Sequence, residues 1–246
     1  MKAVILAGGK GTRGRPYTDY FPKAMIPVEG RPLIDRIIRY LSRFDFIKEI
    51  IIVADFAGLG GQIRNYYHNY YKYNQKYNGK KLSFMQDAQK GTGGDLLHIE
   101  KRLGRDRNFV LWFADNLCAI DLPEMRRVFC AKKSAACIAT RTSRSEETGF
   151  AIVKDGMVKK FMEKPTIKLQ MSECLGIYIL DRRIIDMIKK KRNNINLSYD
   201  ILQPLSKEEK ISAFDICNSG WIDVESPVVL ERNAESVRSI IKQMEC

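Results

Sequence analysis

The stretch Leu6-Ala7-Gly8-Gly9-Lys10-Gly11-Thr12-Arg13-Gly14-Arg15-Pro16 follows directly on an apolar run, Lys2 to Ala7. Within it Gly9-Lys10-Gly11-Thr12-Arg13-Gly14 reads as G-x-G-x-x-G after a strand, the pattern of a dinucleotide-binding turn. That pattern requires a helix to open at the third glycine. Pro16 and Pro22 oppose this, since each removes a backbone donor and blocks helix propagation. A Walker-type phosphate loop fails as well, because its lysine follows the last glycine and precedes Ser or Thr, whereas Lys10 precedes Gly11. What remains is a long irregular loop that sets many backbone N–H groups beside Lys10, Arg13, Arg15 and Lys23, a composition suited to a polyphosphate. A plain surface loop with solvated cations accounts for the same residues equally well.

Around this loop the chain has 246 residues, 45% of them hydrophobic, enough to bury the core of one α/β domain. Its formal charge of +13 and pI near 9.5 favour an anionic ligand, with nucleotide, nucleic acid and acidic membrane surface all admissible. Six cysteines, at 118, 130, 137, 174, 217 and 246, show no C-x-x-C spacing and read as reduced thiols. No signal-like start and no apolar run of membrane-spanning length is present, so the expectation is a soluble, cytoplasmic protein with no membrane partner.

Strand and helix patterns alternate along the chain. Leu33, Ile34, Ile37, Ile38 and Leu41 recur at helical spacing, and Glu49 to Ala54 is a continuous apolar strand. Helix 33–43 is therefore a crossover between parallel strands. Gln62 to Tyr77 has helical character, with Ile63, Tyr67 and Tyr70 on a packed face. Strand 82–85, helix 93–103, strand 109–114, helix 123–132 and strand 135–140 continue the rhythm. Then Phe150–Val153 and Met157–Met162 flank Asp155-Gly156, a hairpin signal. An apolar stretch 173–180, helix 181–191, strand 211–216 and a terminal helix 228–244 complete the pattern.

In open α/β sheets ligands bind beyond the carboxyl ends of the strands. Three segments fall there: the glycine loop, Asp115-Asn116 after strand 109–114, and Trp221-Ile222-Asp223 after the 211–216 region. If the two aspartates converge, they can hold a divalent cation facing the basic loop, as Mg²⁺ is held by one or two carboxylates plus substrate phosphates. Taken singly, each aspartate is equally a turn or cap residue.

The segment Met1 to Ile38, with Leu6-Ala7-Gly8-Gly9-Lys10-Gly11-Thr12-Arg13, Pro22-Lys23 and Pro27-Val28-Glu29-Gly30, resembles the sugar-1-phosphate nucleotidylyltransferases. The likeness continues in Gly91-Thr92-Gly93-Gly94, Ala114-Asp115-Asn116, Phe161-Met162-Glu163-Lys164-Pro165, Gly176-Ile177-Tyr178 and Gly220-Trp221-Ile222-Asp223. It implies a three-layer α/β/α, Rossmann-like (GT-A-like) fold with a mixed, mostly parallel sheet. One catalytic domain over residues 1–246, with no C-terminal β-helix domain, is expected. The implied reaction is NTP plus sugar 1-phosphate giving NDP-sugar plus pyrophosphate, with Mg²⁺ as cofactor.

By this resemblance Arg13 holds the departing pyrophosphate, Lys23 stabilises the pentacoordinate phosphorus, and Asp115 and Asp223 hold Mg²⁺. Lys164 meets the sugar phosphate, while Glu163 and the backbone near Gly149 bind sugar hydroxyls. Ala7, Gly8 and Gly93, with Asp87 and Thr92, line the base pocket, and Gly9, Gly11 and Thr12 belong to the loop around the triphosphate. Three positions depart from the family's usual residues: Gly14 for leucine, Ala114 for glycine, and Glu225-Ser226 for glycine-threonine. They keep open a nucleotide-sugar-binding regulatory homologue, although every charged catalytic candidate is present. A nucleic-acid partner is not expected, since no recognised module occurs and the Lys189-Lys190-Lys191-Arg192 run sits where a helix end favours cations. The form of the Gly91–Gly94 segment resembles the guanylyl- and cytidylyl-transferring branches, and guanylyl transfer to a hexose 1-phosphate is placed first, ahead of thymidylyl, uridylyl or cytidylyl transfer. A homo-oligomer is compatible with all of this.

Overall fold

β1 (Lys2–Leu6) is followed by two short strands, β2 (Pro27–Val28) and β3 (Arg31–Pro32), which pair with each other across Glu29-Gly30. Next come α1 (Leu33–Ser42) and β4 (Glu49–Ala54). β1 and β4 lie side by side and parallel, so α1 is the crossover that its apolar spacing predicts. β5 (Lys81–Gln86), β6 (Asn108–Phe113), β7 (Asn116–Cys118), β8 (Ala136–Ser145), β9 (Phe150–Lys154), β10 (Met157–Met162), β11 (Thr166–Asp181), β12 (Ile211–Asp215) and β13 (Trp221–Asp223) are the other strands among the described residues. This computed structural model describes residues 1–9, 11–68, 72–73, 76–191, 194–217 and 219–246. Lys10 of the glycine loop, Tyr70 of the expected aromatic face and Arg192 of the basic run lie outside the described residues.

Seven strands form the main sheet, in the order β12-β8-β11-β6-β1-β4-β5. Neighbours are parallel except at β11, which runs antiparallel to both β6 and β8. Side chains along each strand alternate between two faces, and both faces are covered. Ala3 and Ile5 of β1, Ile50 and Ile52 of β4 and Trp112 of β6 pack with α1 and the C-terminal helix Ala234–Glu245. Val4, Leu6, Ile51, Val53 and Leu111 pack the opposite way, with the helices Gly91–His98 and Arg183–Lys189. Two apolar layers around one mixed, mostly parallel sheet make the three-layer fold that the resemblance implies. Ile63 and Tyr67 are fully buried, as the packed-face reading of the tyrosine-rich segment expects.

Several boundaries differ from the sequence reading, each for a local reason. The terminal helix is two helices, Pro227–Arg232 and Ala234–Glu245, broken at Asn233. Asn233 leaves helical geometry, at φ −110 and ψ 26, and its side-chain amide donates to the Val229 carbonyl at 3.0 Å. In the 62–77 segment one helix spans Gly61–Tyr66, His68 and Lys72 are helical beyond it, and Tyr77 leaves the helical pattern to bridge Lys80 across Asn78-Gly79. Both turn residues have left-handed φ, 47 and 75, the demand that an Asn-Gly pair meets most cheaply. The helix expected over 93–103 starts at Gly91 and pauses at Ile99 before resuming as Glu100–Leu103. The helix expected over 181–191 is Arg183–Lys189, because Asp181 is still in β11 and its carboxylate accepts from the Arg183 N–H at 2.8 Å. β8 and β11 are longer than expected, extending through polar residues paired from Ser145 opposite Thr166.

Candidate functional site

The glycine loop leaves the carboxyl end of β1. Gly9 and Gly11 have φ of 109 and 58, values that favour glycine, and the Gly11 carbonyl accepts from the Gly14 N–H at 2.8 Å and the Thr18 hydroxyl at 2.7 Å. The loop then tightens into three short turns, Thr12–Gly14, Tyr17–Asp19 and Lys23–Met25, instead of a helix. Pro22 sets the start of the last turn and brings Lys23 back over the sheet edge.

Lys23 is the centre of the site. Its ammonium donates to Asp115 Oδ2 at 3.0 Å and to Asp223 Oδ1 at 3.3 Å. Asp115 follows the last residues of β6, and Asp223 lies 108 positions further along the chain at the end of β13. They converge because β13 pairs antiparallel with β7, with Asp223 opposite Asn116. The pairing was invisible in the sequence, where these are two three-residue segments without a turn between them. Asn116 holds it together: its amide donates to Asp115 Oδ1 at 2.7 Å while its oxygen accepts from the Trp221 indole at 2.8 Å. The Val224 N–H adds a bond to the Asp115 carbonyl at 2.8 Å. Burial, and then the neighbouring Asp115 charge, hold the Asp223 carboxyl above the usual carboxylate range against the pull of Lys23 and Arg13.

Arg13 reaches the same cluster from the loop. It is largely exposed, lies 4.0 Å from Asp223 and forms a close ion pair with Glu225. Two departures noted in the sequence thereby meet: a Cβ on Gly14 would come within 2.9 Å of the Glu225 carbonyl and 2.8 Å of Thr18, so a leucine at 14 has no room beside this segment. The third departure, Ala114, lines a small cleft of about 130 Å³ together with Ala7, Gly8, Lys23, Thr92 and Asp115.

A larger cleft of about 780 Å³ adjoins it, within the range of small-molecule sites. Gly8, Gly9, Gly11, Asp87 and Thr92 line it, as do Asp55 and Asp95. Gln86 donates to Asp55 at 2.9 Å and to Asp87 at 3.1 Å, fixing both carboxylates, and burial followed by the Asp55 charge raises the Asp87 carboxyl. Sequence reasoning missed Asp55, although its place immediately after β4 satisfies the same strand-end rule that found Asp115.

Ala7 lines both clefts, but its N–H and that of Gly93 are engaged within the fold. The Ala7 N–H is taken by the Val53 carbonyl at 2.8 Å, and the Gly93 N–H by Ile195 at 2.8 Å. Gly93 packs so closely on Ile195 that an added Cβ would lie 2.5 Å from it. Gly93 therefore supports the cleft wall from behind. Thr12 and Arg13 line neither cleft, nor do Gly149, Glu163 and Lys164. The last three lie at the base of the exposed β9–β10 hairpin, where a Cβ on Gly149 would meet the Phe161 ring at 2.5 Å and Glu163 at 3.0 Å.

Comparison with known proteins bears on the family and the fold. The family model described as nucleotidyl transferase matches residues 2–237. A mannose-1-phosphate guanyltransferase of Pichia angusta is 29% identical over 237 residues, covering 92% of this chain and 61% of that protein. A UTP–glucose-1-phosphate uridylyltransferase of Synechocystis is 30% identical over 208 residues, covering 76% and 51%. The chain spans about half to three fifths of the length of these curated relatives. Among solved structures, a protein of Bacillus anthracis provisionally named a glucose-1-phosphate thymidylyltransferase superposes with a TM-score of 0.74 at 23% identity, covering 96% of this chain and 95% of its own, a likeness of fold. A match that runs from the first strand into the C-terminal helix leaves one conclusion: this chain belongs to the nucleotidyl transferase family.

Proposed function

We propose that the protein joins an NTP to a sugar 1-phosphate, giving an NDP-sugar and pyrophosphate, with guanine as the base. The observation that carries the reading is Lys23 lying between Asp115 and Asp223 at the carboxyl edge of the sheet, beside a glycine loop that leaves β1. An oxygen of the sugar phosphate, already anionic, attacks the α-phosphorus; the bond from that phosphorus to the bridging oxygen of the β-phosphate breaks, and pyrophosphate carries away the electron pair. No strong general base is required. Positioning and electrostatics supply the catalysis.

In this scheme Lys23 stabilises the charge that builds on the attacked phosphorus, and Arg13 exchanges Glu225 for the departing phosphates. Asp115 and Asp223 would hold Mg²⁺. The donor set fits: two oxygen ligands on part-buried carboxylates whose mutual repulsion is relieved by a cation, a place taken by Lys23 in this structure. When bound, the ion supplies charge neutralisation across both substrates. Glu163, Lys164 and the Gly149 backbone would bind the sugar phosphate from the hairpin side.

Guanine is favoured by the carboxylates of the larger cleft. Its Watson–Crick edge offers N–H donors from N1 and N2, which a carboxylate accepts as a pair, whereas uracil and thymine present carbonyl oxygens on either side of one N–H. Gln86 orients Asp55 and Asp87 for this task. Pyrophosphate release, measured over a matrix of NTPs and sugar 1-phosphates, tests the whole reading. Release with no pair would leave a nucleotide-sugar binder, and release with UTP or dTTP ahead of GTP would overturn the base assignment.

A further inference from the structure

A cleft of about 440 Å³ lies between α1 and the C-terminal helix and, among the described residues, shares no lining residue with the two clefts of the candidate site. Four arginines line it, Arg31, Arg36, Arg39 and Arg43. Arg31, Asp35, Arg39 and Arg43 follow one another at intervals of four, with Asp35 and Arg39 on one face of α1, Arg31 just before it and Arg43 just after it. Tyr40, Ile241 and Met244 give the cleft an apolar floor.

The arginines are unequally engaged. Arg36 is committed to the fold: it donates to Val28 at 3.2 Å, to Glu29 at 2.5 Å and to Glu245 at 2.6 Å, and is 9% exposed. Arg39 gives its Nε to Asp35 at 2.8 Å and one Nη to Tyr77 at 2.8 Å. Arg43 gives one Nη to the Met244 carbonyl. Arg31 meets Asp35 at 3.6 Å and is 44% exposed. Among the described residues, the carboxylates paired with these four guanidinium groups are Asp35 and Glu245. The nearby Glu29 carboxylate is drawn away to Arg238 at 3.3 Å. The cleft thus carries an excess of two positive charges, with donors left over on Arg31, Arg39 and Arg43.

Like charges held around one concavity repel, and the arrangement is relieved by an anion that accepts several N–H donors at once. Guanidinium forks match phosphate oxygens, and an excess of two charges matches a phosphate dianion. The apolar floor offers a surface for the body that bears it. We propose that this cleft is a second anion site, taking a small phosphate-bearing molecule separately from the substrates.

The test is calorimetric titration of inorganic pyrophosphate into the full chain. Wild type is expected to show two classes of site. Arg31→Ala/Arg43→Ala is expected to lose one class or weaken it at least tenfold, as the removal of two charge-assisted contacts implies. Arg13→Ala is expected to lose the other. An unchanged two-site isotherm in Arg31→Ala/Arg43→Ala, or a single class in wild type that only Arg13→Ala removes, would overturn the second site. Two classes surviving in Arg13→Ala, with one lost in Arg31→Ala/Arg43→Ala, would instead count against the role proposed for Arg13 and leave the second site standing. Should the double variant fold poorly, phenylglyoxal labelling of the unaltered protein gives the same decision: pyrophosphate is expected to protect Arg31 and Arg43 severalfold, and equal labelling with and without it would overturn the proposal.

Discussion

Two carboxylate clusters in this protein use the same residue types to opposite ends. Asp35 on α1 is fully buried, and both its oxygens are occupied: Oδ1 accepts from the Tyr67 and Tyr77 hydroxyls at 2.9 and 2.5 Å, Oδ2 from Arg39 at 2.8 Å. Asp115 and Asp223 are each 30% exposed and share one ammonium. The first cluster is closed, every partner supplied by the fold. The second is short of cations and open to solvent, so an incoming cation or phosphate can exchange for contacts already there. Satisfaction against deficit, rather than charge itself, separates a structural network from a reactive one.

Breaking the closed cluster should have the largest effect. Asp35→Ala takes the shared acceptor from the buried Tyr67 and Tyr77 hydroxyls and the ion pair from the part-exposed Arg39, and a loss of about 2–5 kcal/mol in stability, mostly from the two hydroxyls, is expected from urea unfolding. A loss below 1 kcal/mol would show that the network is not a structural anchor. The phenols of Tyr67 and Tyr77 are raised mainly by burial, with Asp35 adding to it, so the neutral donor form persists across the working pH range.

In the open cluster the effect should fall on rate. Lys23→Ala is expected to lower kcat by about 10² or more with a smaller change in KM for NTP, since an ammonium between phosphates acts most where charge accumulates in the transition state. Lys23→Arg should restore only part of it, because a planar fork replaces a compact charge. Retention of most of the wild-type kcat by Lys23→Ala would reduce this residue to a turn cover.

A smaller change is expected at the larger cleft, where the proposed function places the base. Asp87→Asn replaces a pure acceptor with a mixed group and should cut the preference for GTP over the other NTPs by about tenfold, measured as kcat/KM ratios. The same variant probes pH. Because the Asp87 carboxyl is raised in the folded protein, its contribution to stability is full below the ordinary carboxylate range and is lost as pH rises through its raised value. Asp87→Asn should therefore melt higher than wild type at neutral pH, with the gap closing as pH falls into that range. A constant gap would separate the stability effect from ionisation.

The smallest effect concerns the Arg13–Glu225 pair, which is exposed enough for solvent to screen it. Glu225→Gln should free Arg13 and tighten NTP binding by about fivefold at most, with the gain shrinking as salt is added. Weaker binding would mean that Glu225 orients Arg13 for its ligand.

The sequence by itself determined the order of the main-sheet strands and the longer helices between them, because hydrophobic periodicity is a local property: the run Glu49–Ala54 and the spacing of Leu33 to Leu41 declare their elements without reference to the rest of the chain. The glycine loop was legible for the same reason, its prolines ruling out a helix within a few residues. What only the tertiary structure decided lies between distant segments. The β7–β13 pairing that brings Asp223 to Asp115, the Glu225 backbone that forbids a side chain at Gly14, and the packing of Ile195 that turns Gly93 away from the cleft each join residues about 100 or more positions apart. Short strands such as Asn116–Cys118 and Trp221–Asp223 carry too few residues for a period to show, and their partner is chosen by the packing of the sheet around them.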